Sequence, residues 1–333
     1  MRCINRIRAV VSIITATVLI TGCSSTSKAV SFENAYDLFE TSSDYGLLTL
    51  NDTDIATDMS SFFASEYCVS DGADLGTDQT YSQVAEASGV FNLITDEIKY
   101  SQNLNERIYP ASTTKILTAY IALKYGDPNT VVTVSETAVD LPGDSSTANL
   151  KAGDQLTLDQ LLRGLMMRSG NDAANAIAES ISGSIEGFAE LMNQEANALG
   201  ATNSHFVNPH GYHDEDHYTT VYDMYLFMQA AASDPRFLDI IQTPTYTCDY
   251  MDANGAPVQQ VWNTTNYYLV GEQAAPNGVT VLGGKTGTTF SAGYCLVIYS
   301  ENSKNEPNIS IIMKADCRSN LYLYMNQLLE FTN

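Results

Sequence analysis

Basic residues are scarce. The 333-residue chain carries 16 Lys and Arg against 39 Asp and Glu, a formal net charge of −23. Such a surface repels nucleic acid, whose binding rests on neutralising phosphates with cations. The cysteines contain no CxxC pair, which removes the usual frame of a structural zinc site. Internal repeats are absent, and so is any apolar run long enough to cross a bilayer. With 44% hydrophobic residues the chain can nevertheless bury a core of ordinary size, which excludes disorder throughout.

What the N-terminus does have is Arg2, Arg6 and Arg8 without an acid, an uncharged run from Ala9 to Ile20, and then Thr21, Gly22 and Cys23. This order reads as an export signal over residues 1–22. The ending Leu19-Ile20-Thr21-Gly22-Cys23 resembles the bacterial lipobox, in which the cysteine is lipidated and becomes the first residue. Loss of the signal removes three basic residues and no acid, leaving 13 against 39, so −23 becomes −26. No basic patch remains to hold acidic lipid, and membrane contact would rest on acyl chains.

Residues 23–80 form an acidic segment, with eleven acids and one base (Lys28) between Ser24 and Thr80. It reads as a tether with weak helices at Phe32–Phe39 and Met59–Phe63. The domain proper is expected over residues 81–333, with order beginning near Val84. Four cysteines remain in the mature chain, Cys68, Cys248, Cys295 and Cys317. Export permits disulfides, three pairings are possible, and buried free thiols are the other reading.

Glu86–Thr95 and Ile98–Ser101 read as a hairpin turning at Asp96-Glu97. Pro110 opens a helix that stops at Gly126. Thr157 with Gln160 is a capping-box pattern, opening a helix that bears Leu158, Leu161, Leu162, Leu165 and Met166. Gly170 interrupts it. Helices follow at Asp172–Ile181, Ile185–Leu199 and Tyr222–Ala232. Strands are expected at Thr280–Thr286, Tyr294–Tyr299 and Ile309–Lys314, and a last helix at Leu321–Phe331. Hairpins at both ends around a helical middle predict an α+β fold, with one antiparallel sheet built from both ends of the chain and backed by helices.

Ser112 and Lys115 stand three apart at a helix start, where their side chains share a face. A serine hydroxyl attacks only when a base takes its proton, and a lysine can be that base only if burial or a nearby cation lowers its pKa. The helix N-terminus adds N–H groups aimed at a developing oxyanion. Alone, Ser-x-x-Lys is a weak signal. Ser169-Gly170-Asn171 lies at a helix break, where hydroxyl and amide can face a cleft, and Lys285-Thr286-Gly287 ends an expected strand, with Thr288 next.

Ser-x-x-Lys, Ser-x-Asn and Lys-Thr-Gly in that order are the signature set of penicillin-binding proteins and serine β-lactamases. The flanks Pro110-Ala111-Ser112-Thr113-Thr114-Lys115, Arg168-Ser169-Gly170-Asn171-Asp172-Ala173-Ala174, Asn208-Pro209-His210-Gly211 and Gly284-Lys285-Thr286-Gly287-Thr288-Thr289 resemble the low-molecular-weight D-alanyl-D-alanine carboxypeptidases, from about Val84 to Phe331. The resemblance implies the β-lactamase/D,D-peptidase fold, with the site between the sheet and an α-helical subdomain, and no cofactor or metal. It implies a peptidoglycan stem peptide ending in D-Ala-D-Ala as substrate and β-lactam antibiotics as acylating ligands; with the lipobox-like ending, the expected place is outside the cytoplasm, lipid-anchored at the cell membrane. Ser112 would be acylated, Lys115 would be the base, Ser169 and Asn171 would relay protons and hold the peptide amide, and Lys285 would support the field. Thr286 would bind the terminal carboxylate, and the backbone N–H groups of Ser112 and Thr288, beside Gly287, would form the oxyanion hole.

Some relatives carry an arginine in an Asn-x-x-Asn-like stretch upstream of Lys-Thr-Gly, where it helps hold the carboxylate. Here the stretch is Asn263-Thr264-Thr265-Asn266. Many also continue into a β-rich domain and an anchoring tail, whose place the N-terminal lipid would take. A class A β-lactamase would favour Ser-Asp-Asn and a Glu-x-x-Leu-Asn stretch, absent between Asn171 and Lys285. Endopeptidase or transpeptidase action by the same site is the nearer alternative. The histidines His205, His210, His213 and His217 cluster with Asp214, Glu215 and Asp216, yet lack the His-Glu-x-x-His spacing of a zinc peptidase and read as surface-loop residues. A non-enzymatic envelope protein would be expected to have lost one of the three motifs.

The lipobox-like ending makes Cys23→Ser the informative change. The wild-type protein is expected to leave membranes only with detergent and the variant to be recovered without it; equal retention and equal gel migration of the two would refute lipidation at Cys23.

Overall fold

Residues 66–80 and 82–333 are described by the structure, a computed structural model. The export signal, Cys23 and the weak helices at Phe32–Phe39 and Met59–Phe63 lie outside the described residues. Two antiparallel strands, β1 (Ala85–Asn92) and β2 (Glu97–Gln102), form the expected hairpin. They join β7 (Thr280–Thr289), β8 (Gly293–Glu301) and β9 (Pro307–Ala315) in a five-stranded antiparallel sheet of order β2-β1-β9-β8-β7. The sheet thus closes the two ends of the domain on each other through the β1–β9 pair.

Both faces of this sheet are covered, which is why its central strands read as continuous apolar runs. Along β9, Ile309, Ile311 and Met313 face one cluster while Ile312 faces the other, the period of two that a pleated strand imposes. The second face is closed by α9 (Arg318–Glu330), with Leu321, Tyr324, Met325, Leu328 and Leu329 packed on Val90, Leu296 and Ile298. The first face carries α6 (Val221–Ala232), whose Tyr225 stacks on Phe91 of β1 at 4.3 Å between ring centroids.

Next to α6 lies α1 (Lys115–Tyr125), and the rest of the helical region is α3 (Leu158–Met167), α4 (Asn171–Ser182), α5 (Ile185–Ala198) and α7 (Pro235–Gln242), with the short α2 (Glu136–Val139) against α4. The capping box at the start of α3 is formed in both directions: Gln160 N donates to Thr157 Oγ1 at 3.2 Å, and Thr157 N donates to Gln160 Oε1 at 2.9 Å. The expected apolar stripe of α3 is buried throughout. These elements confirm the α+β, β-lactamase-like arrangement.

Several elements differ from the sequence expectation. Pro110 opens a 3-10 turn over Ala111–Thr114, and the α-helix proper begins only at Lys115. Strand β7 runs three residues further than expected, because Gly287, Thr288 and Thr289 still pair with Cys295, Tyr294 and Gly293. A second, four-stranded antiparallel sheet was not anticipated: β3 (Val131–Thr133), β4 (Gln155–Thr157), β5 (Thr245–Met251) and β6 (Pro257–Asn263), followed by the short α8 (Tyr267–Val270). Two of its strands have three residues and all are buried on one face only, so their periodicity is weak.

Residues 66–80, assigned by composition to the acidic segment, are joined to the domain. Cys68 is fully buried, its N–H donates to Tyr225 Oη at 2.9 Å, and Tyr222 Oη donates to its carbonyl at 2.8 Å. Leu75 adds a bridge to Ser101 at the edge of β2. All four cysteines of the described residues are free thiols. Burial pushes Cys68 up to about 11 and Cys248 and Cys295 up to about 12, which keeps these thiols protonated.

Removing the α3 cap gives a local test of this packing. Thr157→Ala leaves the N–H of Gln160 without its acceptor and is expected to cost about 1 kcal/mol, read as a lower denaturant midpoint with unchanged slope.

Candidate active site

Ser112 stands on the 3-10 turn that leads into α1, so one helical repeat later Lys115 points back at it. The turn is held in an unusual shape: Ala111 has φ 48°, a left-handed conformation that a β-carbon disfavours. Thr114 Oγ1 donates to the Ala111 carbonyl at 2.8 Å and lies 2.9 Å from Nε2 of His217. Because Val207 N donates to Nδ1 of His217 at 3.2 Å, that nitrogen carries no proton, and Nε2–H is the donor to Thr114. Burial draws His217 down to about 3 and so keeps this neutral tautomer.

Lys115 is fully buried, and its Nζ meets three oxygens: Ser112 Oγ at 2.9 Å, Asn171 Oδ1 at 2.8 Å and the His210 carbonyl at 2.7 Å. Two of these can only accept. A neutral amine, with two N–H bonds and one lone pair, matches the set when the third partner, the Ser112 hydroxyl, donates to it. Burial first, and then the Lys285 cation, hold Lys115 well below the usual lysine range, while Asp172 opposes them.

The carbonyl of His210 is aimed by its loop. Asn208 Oδ1 accepts from the N–H groups of His210 and Gly211, at 3.3 and 2.7 Å, and Thr118 Oγ1 donates to the Pro209 carbonyl at 2.6 Å. Gly211 has φ +82°, and a β-carbon there would lie 1.8 Å from the Ala111 carbonyl oxygen. Only glycine allows the loop to lie against the nucleophile turn in this way.

Ser169, at φ 56°, and Asn171, the first residue of α4, turn into the cleft where α3 gives way to α4. Asn171 N donates to the Ser146 carbonyl at 2.8 Å, and buried Asp172 accepts from the N–H groups of Ala148 and Leu150 at 2.8 and 3.0 Å. The junction therefore fixes the 144–150 loop beside the cleft. From the opposite wall, Lys285 of β7 donates to Ser169 Oγ at 3.0 Å and to the Thr286 carbonyl at 2.7 Å. Burial draws it down to about 7. Strand β7 lies so close to the turn that a β-carbon on Gly287 would be 3.0 Å from Ser112 N.

Two cavities of about 270 Å³ each open on either side, and Ser112, Ser146 and Thr288 line both. One is further lined by Arg168, Thr286, Thr265 and Arg318. The other is lined by Asn171, Asp144, Tyr212 and Phe290. All eight residues singled out in the sequence for catalysis and substrate binding, Ser112, Lys115, Ser169, Asn171, Lys285, Thr286, Gly287 and Thr288, thus surround one cleft. Such a cleft can supply a serine nucleophile with a neutral amine in contact, backbone donors for an oxyanion and cations for a carboxylate.

A family model described as D-alanyl-D-alanine carboxypeptidase matches residues 77–317. The chain belongs to this family. It is 33% identical over 243 residues to the D-alanyl-D-alanine carboxypeptidase DacF of Bacillus subtilis, an alignment covering 71% of this chain and 59% of the relative. It is 34% identical over 248 residues to DacA of Haemophilus influenzae, covering 71% and 57%. The chain therefore spans less than two thirds of the length of these relatives. Among solved structures it resembles the Streptomyces K15 DD-transpeptidase with a TM-score of 0.69 at 26% identity, covering 75% of this chain and 97% of that one.

Two contacts on the wall of this cleft were not anticipated from the sequence, the Thr265–Thr286 pair and Arg318. The stretch Asn263–Asn266 offers no arginine, and instead Thr265 Oγ1 lies 2.7 Å from Thr286 Oγ1. Beside Arg168, this wall carries Arg318 at the start of α9, which donates to Tyr267 Oη at 3.0 Å and lies over the Tyr267 and Tyr294 rings. Nothing near Arg318 in sequence marks it; the sheet order brings it there. Two of the four histidines differ from the surface reading: His210 and His217 are buried, while His213 is exposed and His205 half-buried. Among the described residues no group of three or more His, Cys, Asp or Glu is arranged to hold a metal.

The contact of Gly211 with the nucleophile turn predicts that Gly211→Ala displaces Ser112 from Lys115. Penicillin acylation is expected to fall at least about tenfold in a protein that remains folded by circular dichroism, with a stability loss of about 1–3 kcal/mol.

Proposed function

We propose that the protein is a serine-type D-alanyl-D-alanine carboxypeptidase that removes the terminal D-alanine from peptidoglycan stem peptides through an acyl-enzyme on Ser112. The observation that carries this reading is the three-oxygen environment of Lys115 Nζ, with the Ser112 hydroxyl in contact at 2.9 Å. A buried lysine held largely neutral is the base that a serine nucleophile needs.

In this mechanism Ser112 Oγ attacks the carbonyl of the penultimate D-alanine while its proton passes to Lys115. The oxyanion is held by the N–H groups of Ser112 and Thr288. The substrate carboxylate lies in the arginine-lined cavity, against Thr286 and Arg318, with Arg168 adding to the positive potential there. Breaking the peptide bond requires a proton on the leaving nitrogen; Lys115, which took one from Ser112, returns it, with Ser169 and its partner Lys285 at 3.0 Å in the same cleft to relay it. Asn171 holds both Lys115 and the peptide amide. Water then attacks the ester, giving its proton to Lys115, and Ser112 recovers its own as the shortened peptide leaves.

The same acyl-enzyme serves a transpeptidase if an amine replaces water, and similarity to the Streptomyces K15 DD-transpeptidase keeps that reading as the second. Penicillin would acylate Ser112 by the same attack on its strained amide. The lipobox-like ending at Cys23 supports work outside the cytoplasm at a membrane surface.

Fluorescent penicillin is expected to label the wild type and leave Ser112→Ala unlabelled; labelling of the variant would remove Ser112 as nucleophile. The pH dependence tests the base. Acylation needs neutral Lys115, so the rate should rise with pH to a plateau, with a midpoint well below the usual lysine value of 10.5 because burial and Lys285 both disfavour the cation. Lys115→Arg, which stays charged, should abolish acylation across the range while the fold persists. A midpoint near 10.5, or an active Lys115→Arg enzyme, would mean that the proton goes elsewhere.

A further inference from the structure

Immediately after Asn171 the chain buries a carboxylate, that of Asp172, which is only 1% exposed. Its Oδ1 accepts from the N–H groups of Ala148 and Ala173, each at 2.8 Å, and its Oδ2 accepts from Leu150 N at 3.0 Å. Three backbone donors of this kind are the surrounding that an acceptor-only carboxylate needs. We propose that Asp172 is a positioning residue for the reaction: it clamps the 144–150 loop against the cleft and, from behind Asn171, sets a negative charge against the base Lys115. The inference rests on the carboxypeptidase reading above.

The clamp leaves no spare room. A β-carbon on Gly170 would lie 2.6 Å from Asp172 Oδ1 and 2.9 Å from Ala148 N, so the glycine between Ser169 and Asn171 is what lets the carboxylate reach the loop. The loop in turn carries Ser146, which lines both cavities at Ser112 and whose carbonyl accepts from Asn171 N at 2.8 Å. Asn171 Oδ1 accepts from Lys115 Nζ at 2.8 Å. Asp172 therefore supports the wall of the cleft and the residue that holds the base at once.

Its charge has a separate effect. Burial and then the Lys285 cation push Lys115 toward the neutral amine, and Asp172 pulls the other way. A lysine depressed too far is neutral at every pH yet takes a serine proton poorly, because the best base titrates near the working pH. Asp172 thus returns to Lys115 part of the proton affinity that burial removes. The other titratable groups about Lys115 are Lys285 of β7 and, in the loop over α1, His210 and His217, both held below the ordinary histidine range chiefly by burial. Arg168 and Asp144 open on the cavities to either side. Charged groups on the neighbouring helices are engaged elsewhere: Arg163 of α3 with Asp159 and Asp239, Glu195 of α5 with Lys124, Arg236 of α7 with Asp234. Glu179 of α4 accepts from Ser135, and Asp223 of α6 from Ser204.

The test is the pH profile of acylation by fluorescent penicillin in wild type, Asp172→Asn and Asp172→Glu, each checked for fold by circular dichroism. Asp172→Asn keeps the shape and removes the charge. Without that charge the ammonium form of Lys115 is less favoured, so the rate is expected to rise at lower pH than in wild type. The plateau should fall by about three- to tenfold, since a weaker base takes the Ser112 proton less readily. Asp172→Glu keeps the charge and disturbs the clamp: its plateau should fall while its midpoint stays with wild type. A midpoint unmoved in Asp172→Asn, or moved as far in Asp172→Glu, overturns the proposal and makes Asp172 a structural clamp alone. Should Asp172→Asn not fold, Asp172→Ser, which still offers an acceptor to the first turn of α4, takes its place with the same outcomes. Absence of labelling in the wild type would instead bring down the carboxypeptidase reading, and the role of Asp172 with it.

Discussion

Two lysine side chains, Lys115 and Lys285, are buried in one cleft with hydroxyls and carbonyls as their hydrogen-bond partners. Desolvating a cation is costly, and placing a second one nearby adds to the cost. The molecule relieves the strain by disfavouring the ammonium forms and surrounding each nitrogen with oriented oxygens. Much of the surrounding structure serves this constraint: the loop that aims the His210 carbonyl, the α3–α4 junction that presents Ser169 and Asn171, and the strand that carries Lys285 across the cleft.

Two of the seven non-glycine residues with positive φ among the described residues stand at the same place. Ala111 and Ser169, each adjoining or belonging to a catalytic motif, have positive φ, and Gly211 and Gly287 bring two separate segments into contact with the nucleophile turn. Such conformations persist only where neighbours over-determine them. Here the neighbours are Thr114 and His217 beneath the turn, and a helical core whose packing is regular and apolar. The site is therefore a strained seam between two well-packed bodies, the five-stranded sheet and the helical region.

The long, strongly patterned elements were legible in the sequence. The α3 capping box, the apolar runs of β8 and β9 and the helical spacing of α5 and α6 each state their structure locally. The three motifs were legible because their residue types and order are unusual together. What could not be read depends on distant parts of the chain. Arg318 becomes part of the cleft only because α9 follows β9 in a sheet where β8 and β7 come next. The weak sheet of β3 to β6 lacks a two-faced apolar signal. His210 and His217 look like loop residues, since it is the folding of that loop over α1 that buries them. Asp144 and Phe290 have no motif at all, and only the position of their loops gives them a common cavity.

The pairing of β1 with β9 also sets a time order. Lys285 reaches Ser169 across 116 positions of sequence, and the sheet that carries Lys285 is completed by a strand later still. A nascent chain holding only Ser112 and Lys115 has the proposed nucleophile and base, but not the wall that carries Lys285 across from them. Long-range pairings of this kind form late, after loop closure has been accomplished. Completion of the cleft is thus tied to completion of the fold: the wall that carries Lys285 is in place only once β7, β8 and β9 have joined β1 in one sheet.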